Sequence, residues 1–371
     1  MKKAQKIYEV LFGLIRAGLG LEQMEVKSFA GLSEKGWEML WEVAFAHGVM
    51  GVCFDAIKDC WKEIGVPLDS FIRWTYMVEQ EEIRHKKQIG VVKYLEKIFG
   101  EKGLKFLVLK GEGIGRYYPN PQRRMSNDVD IYLGDNYAES CEVLRANGIE
   151  YKKDSPRHDH LYIGDIMVEN HRVLSEFRIR KTDKEIEKLL LFECDKVLKE
   201  STDGGAAVYP TVDFNTVFLP WHSSAHFMFE SVSLKQILDW AMFLKAEREN
   251  FNEDLYRKVN KYSSGKISNI ISAICIKKMG IAPELFPPVV VELAMKEDDA
   301  LVDKVFDYIM DISNNDDVEG KFFKDRWNKA VRMWRERWKF RDVYSLSLGA
   351  LYWRKFVWFI YDRIVYKKNL K

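Results

Sequence analysis

Apolar residues recur at helical spacing from the start of the chain. Val10, Leu11, Leu14 and Ile15 share one helix face, and Met39, Leu40, Val43 and Ala44 share another. The second run stops at His47-Gly48, where an imidazole is favourable beside the negative end of a helix. Phe71 to Phe99 reads as one long helix with a charged face, closed by Gly103. Residues 1–100 are expected to form a helical N-terminal region.

The pattern then changes. Leu104 to Leu109 is a short apolar run followed by a turn signal, as in a buried strand. Gly111 to Tyr118 suits a short helix stopped by Pro119, and Asp128 to Leu133 alternates polar with apolar, which predicts a strand. A helix over Tyr137 to Ala146 stops at Asn147-Gly148. Ile149 to Lys153, His160 to Ile163 and Ile166 to Val173 follow as strands. From about Asp213 the pattern is helical again, with Val217 to Lys245 as one or two amphipathic segments. The expected fold class is α+β. A small mixed β-sheet core over 101–212 is flanked by helical N-terminal (1–100) and C-terminal (213–371) regions.

Composition narrows this little. A chain of 371 residues, 47% apolar and 31% charged, suits a soluble globular protein of two or three domains. The net charge of +2 does not mark a nucleic-acid binder, so nucleic acid is not the expected partner. Charge is uneven, however: Lys321 to Lys371 holds 15 basic and 4 acidic residues, or +11, which leaves −9 for the rest. That segment also carries Trp334, Trp338, Trp353 and Trp358. It reads as helices whose aromatic stripe packs on the body with Lys and Arg in solvent. The alternative is a weak contact with a membrane surface or a protein. Cysteines 53, 60, 141, 194 and 275 form no Cys-x-x-Cys pair, which argues for free thiols in a reducing, cytoplasmic setting. The first apolar patch is broken by Glu9 and Arg16, so it reads as an amphipathic helix rather than a signal peptide. No apolar run reaches the roughly 20 residues of a membrane span.

The chemistry concentrates on Lys110-Gly111, Arg124 and Asp128-Val129-Asp130. On a strand, side chains at i and i+2 share a face, so Asp128 and Asp130 project together. Two such carboxylates repel unless a cation lies between them. Mg²⁺, or Mn²⁺ in its place, is the natural ion, and such a pair suits transfer of phosphoryl or nucleotidyl groups. The glycine turn ahead of the pair lets backbone N–H groups approach phosphate.

Leu109-Lys110-Gly111, Tyr117-Tyr118-Pro119, Arg124 and Asp128-Val129-Asp130-Ile131-Tyr132-Leu133 together resemble the polymerase-β-type nucleotidyltransferase superfamily. More narrowly they resemble a bacterial family of uncharacterised nucleotidyltransferases. The likeness runs from Leu104 to His171 and more weakly over Leu219 to Leu244. It implies a third carboxylate in Val168-Glu169-Asn170-His171, where Glu169 and His171 share a strand face. Glu169 is assigned as metal ligand or general base, with Asp165, a turn residue after Gly164, as the other candidate. A Gly-Ser pair is common at the turn in the superfamily; this chain has Gly111-Glu112, an acid that must point away from a triphosphate.

The expected reaction transfers NMP from an NTP such as ATP to a hydroxyl or similar nucleophile on a small-molecule or protein acceptor. Asp128, Asp130 and Glu169 hold the metal. Lys110, Gly111, Arg124, His171, His222 and His226 are the candidate nucleotide contacts. Arg124 is read as a phosphate clamp or a basic surface loop, and His222 and His226 at i and i+4 as cleft lining or helix packing. His158-Asp159-His160 is placed in a loop or at a strand edge. The other readings are a non-catalytic nucleotide-binding or antitoxin-like regulatory module of the same fold, or a transferase acting on nucleic-acid ends.

Overall fold

The computed structural model describes residues 2–23, 26, 31–152, 157–174, 181–200, 205–262, 265–312, 331–353 and 356–357. Helices α1 (Lys2–Gly18), α2 (Glu34–Ala46), α3 (Met50–Ile57) and α4 (Leu68–Gly100) come first. The mixed region follows as β1 (Phe106–Val108), α5 (Glu112–Gly115), β2 (Asp128–Tyr132), α6 (Tyr137–Ala146), β3 (Tyr151–Lys152), β4 (His158–Ile163) and β5 (Ile166–His171). Then come α7 (Lys181–Glu200), β6 (Ala207–Val208), α8 (Val212–Phe229), α9 (Leu234–Ala246), α10 (Glu253–Asn260), α11 (Gly265–Lys277), α12 (Pro288–Met295) and α13 (Asp299–Met310).

The six strands form one mixed sheet in the order β3-β4-β5-β2-β1-β6. The class expected from the pattern, α+β with a small sheet and helical flanks, is what the chain adopts. Strands β2 and β5 run parallel, with Asp130 opposite Glu169; β4 runs antiparallel to β5, with His160 opposite Glu169 and His158 opposite His171. Val129, Ile131, Leu161 and Val168 turn to one face of the sheet. There they bury against Val91, Val92, Leu95, Ile98 and Phe99 of α4 and Val143 and Leu144 of α6. Phe99 meets Phe106 edge to face at 5.4 Å, an arrangement that aromatic rings favour beyond the area they bury. The alternate positions on β2, β4 and β5 are thereby forced to the other face, and those are Asp128, Asp130, His158, His160, Glu169 and His171.

The larger core joins the helices of both ends of the chain: Leu11 and Trp37, Trp221 and Phe243, and Ile270 and Val302 belong to one continuous cluster with Leu107 and Leu109. Pattern and structure differ over α7 and β6 and at the C-terminal aromatic stripe. Helix α7 and the two-residue β6, paired parallel with β1, carry no pattern strong enough to be read. Of the two readings of the Val217 to Lys245 segment, the chain takes the second: two helices, separated at Glu230–Ser233 and restarted by a capping box on Ser233 and Gln236. The C-terminal aromatic stripe packs only in part. Trp338 lies edge-on to Phe227 (6.1 Å) and Tyr308 (5.8 Å), whereas Trp334 and Trp353 are 64% and 66% exposed. Trp358 lies outside the described residues. Among the described residues no helix is long and apolar enough to cross a membrane.

Candidate active site

The turn after β1 is built on glycine. Gly111 has φ +49° and ψ −112°, a conformation that side chains disfavour. Two residues on, a Cβ at Gly113 would lie 2.6 Å from the Val108 carbonyl oxygen, so α5 packs directly on the strand end. Lys110 precedes the turn, and its Nζ reaches Asp130 Oδ1 at 2.8 Å. Glu112, the acid that had to point away, does so: its carboxylate pairs with His85 Nδ1 of α4 at 3.0 Å.

Helix α4 presents a polar edge to the loop before β2, which accounts for its charged face. Gln88 Nε2 donates to the Ser126 carbonyl (3.0 Å), Arg84 donates to Asn127 (3.0 Å), and Ser126 Oγ donates to the Asp128 carbonyl (3.1 Å). Arg123 is tied to Asp55 of α3 (2.9 Å) and to Glu82 of α4. The loop that delivers Asp128 and Asp130 is thus held from behind.

Asp130 is the centre of the cluster and only 2% exposed. Its Oδ1 accepts from both Lys110 and His171 Nε2 (2.9 Å). Its Oδ2 is buried with no partner. An unsatisfied buried carboxylate oxygen is costly, and a cation beside it would satisfy it. Burial opposes ionisation of Asp130, but Lys110 and His171 hold the carboxyl well below the usual range. Burial likewise works against the His171 imidazolium, and the carboxylates of Asp130 and Glu169 outweigh it, raising its pKa to about 9. Glu169 Oε2 lies 3.4 Å from His171 Nε2, and Oε1 lies 3.2 Å from His160 Nε2. Asp128 shares the face but stands apart from this tight set. Burial and the neighbouring Asp130 push its carboxyl up, and although its backbone carbonyl accepts from Ser126, its carboxylate forms no hydrogen bond or ion pair among the described residues. The ligand-bearing atoms of Asp130, Glu169 and His171 lie within 4.8 Å of one another; with His171 held as a donor to both acids, the carboxylate oxygens are the groups that suit a hard divalent cation. Asp165, the other candidate acid, is an exposed turn residue paired with Lys87 at 2.6 Å.

Arg124 is not a surface residue, and its hydrogen bonds go to α9 rather than to the acids of the sheet face. It is 6% exposed, and its Nε and Nη2 donate to the two oxygens of Asp239 on α9, each at 2.7 Å. Tyr118 Oη donates to Asp239 as well, at 2.9 Å. This ion pair fastens α9 beside the acidic strand, and with it Lys235, one helical turn before Asp239. Lys235 was not legible as a site residue. Burial, and then the repulsion of Arg124, lower its pKa, while Asp239 and Asp128 act to raise it. Its ammonium has no hydrogen-bond or ion-pair partner among the described residues. The start of α9 is seated on His47, whose carbonyl accepts from Lys235 N–H (3.1 Å) and whose Nδ1 accepts from Leu234 N–H (3.4 Å). His47 is therefore not a cation serving the end of α2: burial lowers it to about 4, and it faces a helix N-terminus as a neutral acceptor.

His222 and His226 lie on α8 with rings 4.4 Å apart; His222 stacks on Phe218, and His226 Nδ1 pairs with Glu230 at 2.6 Å. The site itself is a sheet face carrying three acids, bounded by a glycine turn and by two lysines from different elements. The chain belongs to the family described as uncharacterised nucleotidyltransferase, whose model matches residues 33–277. That span takes in α2 through α11 and every site residue described above. No curated protein and no solved structure gives a significant match.

Proposed function

We propose that this protein moves an NMP group from an NTP to a hydroxyl or similar nucleophile on a small-molecule or protein acceptor. The observation that carries the reading is Asp130: fixed by Lys110 and His171 on one oxygen, orphaned on the other, and in register with Glu169. Asp128, Asp130 and Glu169 would hold Mg²⁺ or Mn²⁺, which when bound neutralises triphosphate charge and polarises the reacting oxygens.

The chain's own groups do the rest. Lys110 and Lys235 flank the acids from the turn and from α9, and they hold phosphate oxygens as compact point charges. Gly111 keeps the turn free of a side chain. His171 fixes Asp130 and Glu169 relative to each other, and Arg124 acts as a positioning residue through Asp239. In this reading the 101–212 region bears the acids and the 213–371 region supplies Lys235 to complete the cleft.

The test is incubation of the full chain with each labelled NTP and Mg²⁺ or Mn²⁺, alone and with cell extract, following label into protein, small molecules or RNA. The Asp128→Asn, Asp130→Asn double variant is expected to lose metal-dependent transfer. Full activity and unchanged metal dependence in that variant would overturn the proposal.

A further inference from the structure

The face that carries the acids continues one strand further. On β4, Asp159 and Leu161 turn into the protein, so His158 and His160 project beside Glu169 and His171. Strand β4 is pinned in that orientation from behind: the buried Asp159 accepts from Tyr137 Oη and from Arg172, and Arg172 Nε donates to Tyr137 Oη at 2.6 Å. The His158 and His160 rings stack with centroids 4.8 Å apart, and His171 lies 5.4 Å from His158.

The geometry points to a second cation site, formed by His158, His160 and Glu169, that takes a divalent transition metal rather than Mg²⁺. It rests on the reading above only in sharing Glu169. One ligand atom from each of the three residues lies within 4.8 Å of the others. Nitrogen and oxygen ligands about 2.1 Å from a metal are at most about 4.2 Å apart, so small side-chain rotations close the set. Two imidazoles and a carboxylate suit Zn²⁺, Co²⁺, Ni²⁺ or Fe²⁺, whereas an all-oxygen set suits Mg²⁺. All three residues are half-buried, which leaves room for water to complete the coordination. Glu169 is placed to serve both sites, with Oε1 on the His160 side and Oε2 on the His171 side. A carboxylate shared in this way makes an unequal pair of positions, one oxygen-rich at Asp128 and Asp130 and one imidazole-rich at β4.

The probe is Co²⁺ alone, titrated into the full-length protein and followed by calorimetry and visible absorption. Wild type and the Asp128→Asn, Asp130→Asn variant are both expected to bind Co²⁺ at the imidazole site. The His158→Gln, His160→Gln variant is expected to lose more than about tenfold in Co²⁺ affinity, the low end of what removing even an outer partner of a metal ligand costs. It should keep the Mg²⁺–NTP binding seen in wild type. A second arm needs no variant: diethyl pyrocarbonate footprinting of wild type should show His158 and His160 protected when Co²⁺ is added. Undiminished Co²⁺ affinity in the His158→Gln, His160→Gln variant, or no protection of these histidines, would overturn the proposal. Failure of nucleotidyl transfer with Co²⁺ binding intact would instead count against the catalytic reading alone.

Discussion

The Arg124 guanidinium lies flat against the Asp239 carboxylate, two hydrogen bonds of 2.7 Å joining residues 115 positions apart. The pair is buried, and a buried ion pair contributes less through its attraction than it costs when one partner is removed. Asp239→Ala leaves the guanidinium without its counter-charge and is expected to destabilise the protein by about 3–5 kcal/mol. Arg124→Lys keeps the charge but loses the fork and should cost less. Urea unfolding of both variants measures this order, and equal stability of Asp239→Ala and wild type would contradict it.

Lys235 should act on nucleotide and not on folding. Its ammonium makes no hydrogen bond or ion pair among the described residues, so Lys235→Met removes an unsatisfied charge from a partly buried position. The melting temperature is expected to hold or rise. Affinity for Mg²⁺–NTP is expected to fall roughly 10- to 100-fold, the range for losing one charge-assisted contact. Calorimetry with a non-hydrolysable NTP separates the two effects.

His47 predicts a pH dependence with a definite sign. Its folded pKa of about 4 lies below the ordinary imidazole value of 6.5, so the unfolded chain takes up the proton first. The stability it contributes is complete above pH 6.5 and is lost as pH falls from there towards 4. The loss is on the order of 3 kcal/mol at its fullest. His47→Asn keeps an acceptor for Leu234 N–H without titrating, so the difference in unfolding free energy between wild type and this variant should shrink or reverse between pH 7 and 4. A constant difference across that range would exclude His47 as the cause.

Phe106 supports the site from the far side of the sheet. It is fully buried against Phe99, and Phe106→Ala is expected to cost about 3–5 kcal/mol. Because β1 leads directly into Lys110 and Gly111, thermal unfolding and NTP affinity should fall together in this variant.

Much of the site could be read from local pattern. Period-2 alternation put Asp128 with Asp130 and Glu169 with His171, because a strand's faces follow from its own residues. Alternation does not say which strand lies next to which. The pairing of Glu169 with Asp130 on one side and with His160 on the other became visible only in the sheet order, and it turned His158-Asp159-His160 from a loose edge into part of the polar face. Arg124 shows the same limit from another direction: four residues before an Asp-x-Asp, it reads as a phosphate clamp, yet its partner is on a helix more than a hundred residues away. Lys235 left a single local trace, its spacing of four from Asp239 on one helix face. Strand β6 left none, since two residues are too few to show a period.

The ion pair between Arg124 and Asp239 also sets an order of assembly. During synthesis the acids of β2 and β5 emerge well before α9, so a growing chain carries these acids with Lys110, His160 and His171 beside them and Lys235 still to come. Lys235 comes beside the acids only when α9 docks on the loop before β2, and docking is what buries Asp239 against Arg124. If the proposed function holds, competence to hold a triphosphate would arrive late, as a property of the closed helical body rather than of the sheet that bears the carboxylates.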